Sequence, residues 1–421
     1  MPVPNALEDG AKPILRDLDD PTFDPFASED MMHGGIVDPW PTYRELARTR
    51  TVHRFPVRSA FMPEENQAVA GREGVTIVGH AAVLKATLDT ETFSNAANGL
   101  TLGLSFGDTL TRMDAPEHTR YRRIFQKAFL PNTVRNWSQH LVQPVVTGLI
   151  DKFVDRGHAD LVNEFTLRYP FQVIYRQLGL PAEDEALFHK LAVAQTAYPY
   201  ALDKAVEAGR KLGDYFVQMV RARRANPGDD LPSLLANAEV EGERLPENVV
   251  VSFLRQLVNA GGDTTYRATG TLLMALLTHP DQLEAVKRDR SLVPQAIEEA
   301  LRWDGPIAII QRSIARDTTF EGVELRADTI VDVVLGTANR DPSVYPDPDR
   351  FDIFREPQKH LAFATGPHVC IGQHLARIEM ERALSSLLDR LPNLRLDPDQ
   401  PAPVNLGYMM RTPAHIHVRF D

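Results

Sequence analysis

The sequence predicts a mainly α fold with a small β region, and three observations carry that prediction. Helical periodicity dominates from residue 131 to about 225, with breaks at Gly157, at Gly179-Leu-Pro181 and at Pro199. Leu245-Pro246 then opens a run that no proline interrupts until His279-Pro280. A helix of that length spans roughly 50 Å at 1.5 Å per residue. Strand-like alternation is confined to residues 51–80, 318–334 and the C-terminal tail.

Composition limits what such a chain can do. With 421 residues, 43% hydrophobic and 24% charged, it can bury a large core and is not a disordered segment. That length suits two or three domains or one large fold, and we expect an arm over residues 1–37 and a single domain over 38–421. A net charge of −11 argues against nucleic acid as a partner. The single cysteine excludes a disulfide framework and any multi-cysteine zinc or iron–sulfur site, and fits a reducing compartment. MPVPNALEDGAKPILRDLDD contains no apolar run and reads as neither signal peptide nor anchor, and no other segment is apolar over about twenty residues. The expectation is a cytoplasmic protein with no membrane partner.

Taken in order, the arm is followed by Asp38-Pro-Trp-Pro41, which opens a short helix (PTYRELART), and by strands and turns over 51–80. A helix carrying Val83, Leu84 and Leu88 comes next. Residues 95–107 are uncharged, with three glycines and several large apolar side chains. Either a mobile segment covering an apolar ligand or a partly buried structural loop would explain that composition. Asp114 is the expected N-cap of the following helix, with Pro116 and Glu117 in its first turn. His118 and Arg122, four apart, share one face and can together hold a carboxylate. Tyr198-Pro-Tyr200 is expected to be a hinge between two helices, and residues 221–230 (RARRANPGDD) an exposed polar loop.

The long helix carries Ala260-Gly-Gly-Asp-Thr-Thr265 at its middle. Two interior glycines cost about 1 kcal/mol each relative to alanine, so a local reason is required. Close packing against another helix would supply one; room for a ligand beside Asp263 and Thr264, free to handle protons, would supply another. Residues 281–303 read as the next helix, with Glu299 and Arg302 three apart on one face. An apolar extended segment, Gly305-Pro-Ile-Ala-Ile-Ile310, and paired strands over 318–334 follow. In the tail, Tyr408-Met-Met410 stands at a turn. His415 and His417 share a strand face there and mimic a metal pair, though two such histidines alone do not make a metal site.

The only cysteine lies in Phe363-Ala-Thr-Gly-Pro-His-Val-Cys-Ile-Gly372. Gly366 and Gly372 flank Cys370, and a helix starts at about Gly372. The glycines permit positive φ and close approach to something flat, and the unpaired N–H groups of the helix start favour a thiolate. A lone thiolate among donors suits a soft metal ligand, haem iron first, and a buried inert thiol is the alternative. The stretch resembles the haem-binding loop of the cytochrome P-450 family, with Ala364 standing where that family usually has glycine. Three further features occur in the family's order: the His118–Arg122 helix, the Ala-Gly-Gly-Asp-Thr run and the Glu299-x-x-Arg302 pair. The resemblance covers roughly residues 38–420.

The resemblance implies a cytochrome P-450 fold, mainly α, with haem (iron protoporphyrin IX) between the long helix and the cysteine helix. It implies that Cys370 is the axial ligand, that Phe363 shields the sulfur, and that His368 and Gly372 belong to the haem-binding loop. His118, Arg122 and Arg312 would hold propionates, Ala260 and Gly261 would form the oxygen groove, and Asp263 with Thr264 would relay protons. Glu299 and Arg302 would form a buried structural pair completed by Arg350 or Arg355. The implied reaction inserts one atom of O2 into an organic substrate.

No flavin or nicotinamide fingerprint is present, so a ferredoxin-type donor is expected, docking on Arg120, Arg122, Arg123 and Lys127. Ile307, Ile309 and Met409, with residues 95–107, Tyr198 and Tyr200, suggest a pocket for a small or medium hydrophobic substrate. Gln256 and Asn259 would add a polar group near the haem. A peroxygenase, a thiolate-haem gas reductase or sensor, and a non-haem helical binding protein are the rival functions. The intact Asp263-Thr264 pair counts against the first, oxygen-independent activity with nitric oxide would mark the second, and a colourless preparation the third.

Overall fold

In the computed structural model, which describes residues 13–27, 36–62, 69 and 71–421, the proline-free run becomes a single helix, Glu247–Thr278, of 32 residues. The two interior glycines have the packing reason. A Cβ at Gly262 would lie 2.4 Å from the Phe171 ring, and one at Gly261 would lie 2.5 Å from Ile174 Cδ1. Both contacts come from the helix Tyr169–Gln177, which lies against the long helix because the glycines let it. Tyr169 fixes the crossing further, its hydroxyl 2.6 Å from Thr269 Oγ1.

The cysteine helix, Gln373–Arg390, and the helix Val293–Asp304 pack on other faces of the long helix. The main hydrophobic core runs along these elements, and a smaller core lies under a five-stranded sheet. That sheet orders its strands Val52–His53, Gly74–Ile77, Ile330–Val334, Ile309–Ile314 and Phe93–Ser94. Ile330–Val334 runs parallel to Gly74–Ile77 and antiparallel to Ile309–Ile314. The tail strand His417–Arg419 lies between Arg395–Leu396 and His158–Asp160. Among the described residues no helix is long and apolar enough to cross a membrane.

Several local expectations are corrected. Residues 318–334 do not pair on themselves throughout: Thr318–Phe320 and Val323–Leu325 form a hairpin, while Ile330–Val334 enters the five-stranded sheet. Residues 281–303 form two helices, Pro280–Arg288 and Val293–Asp304. Residues 221–225 continue the helix Leu202–Ala225, and Arg223 is buried against Asp230 at 2.6 Å rather than exposed in a loop. The uncharged segment 95–107 is ordered as a 3-10 helix, Asn95–Leu100, and a short helix, Leu102–Phe106. It seats on the helix Leu202–Ala225 because Gly209 leaves room for Ser105, whose carbonyl would stand 2.0 Å from any Cβ there.

Asp114 does not cap the next helix, which begins at Glu117 with Pro116 before it. Its carboxylate instead accepts from the Ser94 hydroxyl and from the Asn95 backbone at 3.0 Å. The break at Tyr198-Pro-Tyr200, where a hinge is expected, stands between the 3-10 turn Gln195–Ala197 and the helix Leu202–Ala225. Of the expected arm, residues 1–12 and 28–35 lie outside the described residues. The remainder is tied down by Lys211, 2.6 Å from Asp19, and by Lys190, 2.9 Å from Asp17.

Candidate active site

The cysteine loop is closed by its own backbone. Cys370 N donates to Phe363 O at 2.9 Å, and the helix Gln373–Arg390 begins three residues on. Gly366 has φ +71°, and a Cβ there would stand 3.0 Å from Thr87 O. Ala364, at φ +54°, holds a left-handed conformation that glycine adopts more cheaply, the local cost of the departure noted in the sequence. Cys370 is accessible although protein surrounds it. Burial pushes its thiol up, against the opposing pull of the Gly372 and Gln373 N–H groups and of Arg122 and Arg377. The helix start therefore does not make a thiolate by itself; a coordinated metal ion would.

Two residues that the sequence analysis missed support the loop. Arg377 lies over the Phe363 ring at 4.5 Å and is held by Glu298 through bonds of 2.6 and 2.9 Å. Their separation of 79 residues left no local signal.

His118, Arg122 and His368 come together at this loop, and Arg312 is near enough to His368 to disfavour its protonation. The His118 and His368 rings stack at 3.8 Å. Arg122 donates to Val369 O at 2.5 Å, and buried Arg312 donates to Gln311 O at 2.7 Å. Burial and the neighbouring cations lower His118 to about 4 and His368 to about 3, so both rings are neutral near pH 7. Burial also lowers Arg312 to about 10, which leaves it charged. His118 Nε2 and Arg312 Nε are buried with no hydrogen-bond partner among the described residues. An orphaned guanidinium N–H of Arg312, beside Arg122 and a ring nitrogen of His118 that can donate in one tautomer, calls for anionic oxygens, and the propionates of haem fit that demand.

On the long helix, accessibility returns at Gln256, Ala260 and Thr264 amid buried neighbours. At spacings of four these residues form one stripe. Thr264 Oγ1 donates to Ala260 O at 2.9 Å, and Gln256 donates to Thr111 Oγ1 at 3.0 Å. Gly261 is half-buried at the edge of the stripe. Other expected residues turn elsewhere. Asp263 is buried and paired with Arg267 at 3.0 Å, a partner whose i,i+4 spacing was legible in the sequence. Asn259 is buried with its amide on Ala192 O at 3.1 Å, so it clamps two helices rather than facing the stripe. Ile309 packs into the Trp40–Tyr43–Tyr408 cluster, whereas Ile307 and Met409 remain half-buried.

Glu299 and Arg302 form a buried bidentate pair with distances of 2.7 and 2.8 Å. Arg355 completes it, with Nε 3.4 Å from Glu299 Oε1, and Arg350 contributes only its carbonyl to Arg302. Arg302 also donates to Asn339 O and Pro348 O at 3.0 and 2.9 Å, which fixes the meander ahead of the cysteine loop.

Comparison with known proteins bears on the family and the fold. The family model described as Cytochrome P450 matches residues 192–418. Cytochrome P450 107B1 of Saccharopolyspora erythraea is 36% identical over 293 residues, covering 69% of this chain and 71% of its own. Steroid C26-monooxygenase of Mycolicibacterium smegmatis is 35% identical over 350 residues, covering 81% and 86%. The solved structure of the cytochrome P450 enzyme CxnD, which acts in C–S bond formation, matches with a TM-score of 0.81 at 32% identity, over 93% of this chain and 96% of that one. On these matches, the chain belongs to the cytochrome P450 family of haem-binding monooxygenases.

Proposed function

We propose that residues 38–421 form one haem-thiolate monooxygenase domain that oxidises a small or medium hydrophobic molecule in the cytoplasm, with electrons from a ferredoxin-type donor. One observation carries the reading. The only cysteine of the chain, on the loop that leads into the helix Gln373–Arg390, and the stripe Gln256–Ala260–Thr264 are both accessible, and that helix packs on the long helix that carries the stripe.

In this reading Cys370 binds the haem iron, and Phe363, pinned by Arg377, covers the sulfur. His118, Arg122, Arg312 and His368 hold the propionates, with His118 Nε2 and Arg312 Nε gaining there the hydrogen-bond partners they otherwise lack. When bound, the haem supplies the activation of O2, and thiolate ligation favours O–O cleavage. Thr264 presents its hydroxyl to the stripe and holds a proton there, by rotating away from Ala260 O. Asp263 joins the relay only after its pair with Arg267 loosens. Ile307 and Met409 give the substrate side its apolar surface, and Gln256 its polar group. Similarity to a steroid monooxygenase supports a hydrophobic substrate.

The test is substrate-induced spin-state change in the haem-loaded protein, followed by turnover with ferredoxin, its reductase and 18O2. Hydrophobic candidates are expected to shift the Soret band and yield a product carrying one labelled oxygen. Binding restricted to charged, sugar-like compounds would overturn the reading, as would a product free of label.

A further inference from the structure

His417 opens the strand His417–Arg419, and its register partner across the antiparallel ladder is Asp160, at the end of His158–Asp160. His415 precedes it by two residues, so both imidazoles leave the same side of the chain. Their planes lie 10° from parallel with centroids 5.3 Å apart, and His415 Nδ1 is 2.8 Å from Asp160 Oδ2. One ligand atom from each of the three residues lies within 4.8 Å of the others. Two imidazoles and a carboxylate make a donor set suited to Zn2+ and similar first-row divalent ions.

The surroundings already hold the carboxylate in place. Asp160 Oδ1 accepts from the Ile416 and Val162 N–H groups, each at 3.1 Å, and Asn163 Nδ2 donates to Oδ2 at 2.7 Å. Burial raises the Asp160 pKa, but hydrogen bonds from His415, Asn163, Ile416 and Val162 outweigh it and leave the group below its ordinary value. The His415 side chain is 58% exposed, so an ion can reach the cluster from solvent. None of these residues belongs to the proposed haem site.

We propose that Asp160, His415 and His417 bind one Zn2+-class cation, with water completing its coordination. The ion would join positions 255 residues apart, and it would tie the C-terminal strand to the segment leading into Tyr169–Gln177. An ion that binds only the folded chain stabilises it by mass action.

Calorimetric titration of the untagged, haem-loaded full chain with zinc sulfate near pH 7 is expected to show one saturable site and a rise in thermal midpoint. His415→Ala and His417→Ala should each weaken binding by at least about tenfold and abolish the midpoint shift. Because His415→Ala also removes the 2.8 Å contact with Asp160, its metal-free midpoint is measured beside wild type, and binding is read only from the zinc-dependent shift. Absence of zinc uptake by the wild-type protein, or uptake that both variants retain, would overturn the proposal.

Discussion

Glu379 is the least comfortable residue of the cysteine helix. It is fully buried, and among the described residues neither of its carboxyl oxygens finds a hydrogen-bond partner. The Tyr169 hydroxyl is engaged with Thr269. Burial alone raises the Glu379 pKa well above its reference of 4.5. The folded chain therefore keeps a proton that the unfolded chain releases as the pH climbs past that reference. Its contribution to stability is full below the unfolded pKa and is lost as the pH rises through the folded one, at about 1.4 kcal/mol per pH unit between the two. Glu379→Gln preserves shape and removes the titration. Denaturant midpoints of the variant should gain on wild type as the pH rises above the unfolded reference of 4.5. A difference that stays flat above that reference would show that Glu379 is ionised in the fold.

Among the elements, the long helix was the most legible, since its length follows from apolar periodicity and the spacing of prolines alone. The reason for its glycines was not, because Phe171 and Ile174 lie some ninety positions upstream and nothing local announces them. The same limit explains Ile330–Val334: a period of two marks a strand but names no partner, and two of its neighbours come from residues 74–77 and 309–314. The choice between Arg355 and Arg350 likewise needed the backbone, since both lie at plausible distances from Glu299 in sequence. The site motifs were legible because each is compact, and the structure brings Arg122 onto Val369 and His118 onto His368 of the Cys370 loop. Asp263 illustrates the converse, because its spacing from Arg267 was visible but a pairing that hides the acid was not inferred. The packing argument for the glycines is testable. Alanine is the better helix former by about 1 kcal/mol, yet Gly262→Ala would drive a methyl into the Phe171 ring. It should lower stability by about 1–3 kcal/mol in urea unfolding, as overpacking does. A stabilised variant would mean that Tyr169–Gln177 can retreat at no cost, and that the glycines serve the ligand instead.

The molecule as a whole carries a net charge of −11, which repels an acidic electron donor unless a local patch reverses the field. Of the four cations expected to form that patch, two are engaged, and Arg123 and Lys127 have no ion pair among the described residues. Arg122 is bonded to the cysteine loop at Val369, and Arg120 approaches Glu241 and Glu243 at 3.4 and 3.9 Å. Arg123 and Lys127 are exposed four residues apart, on the same segment that Arg122 fastens to the loop. If a ferredoxin-type donor docks there, Arg123→Glu combined with Lys127→Glu should raise its KM about tenfold at low salt while leaving substrate-induced spin shifts unchanged. The gap between variant and wild type should close as salt rises, because the Debye length falls from about 10 Å at 0.1 M to about 3 Å at 1 M. A change in KM that ignores ionic strength would point to lost packing rather than lost charge. No change at any salt would move the docking surface away from the Glu117–Phe125 helix altogether.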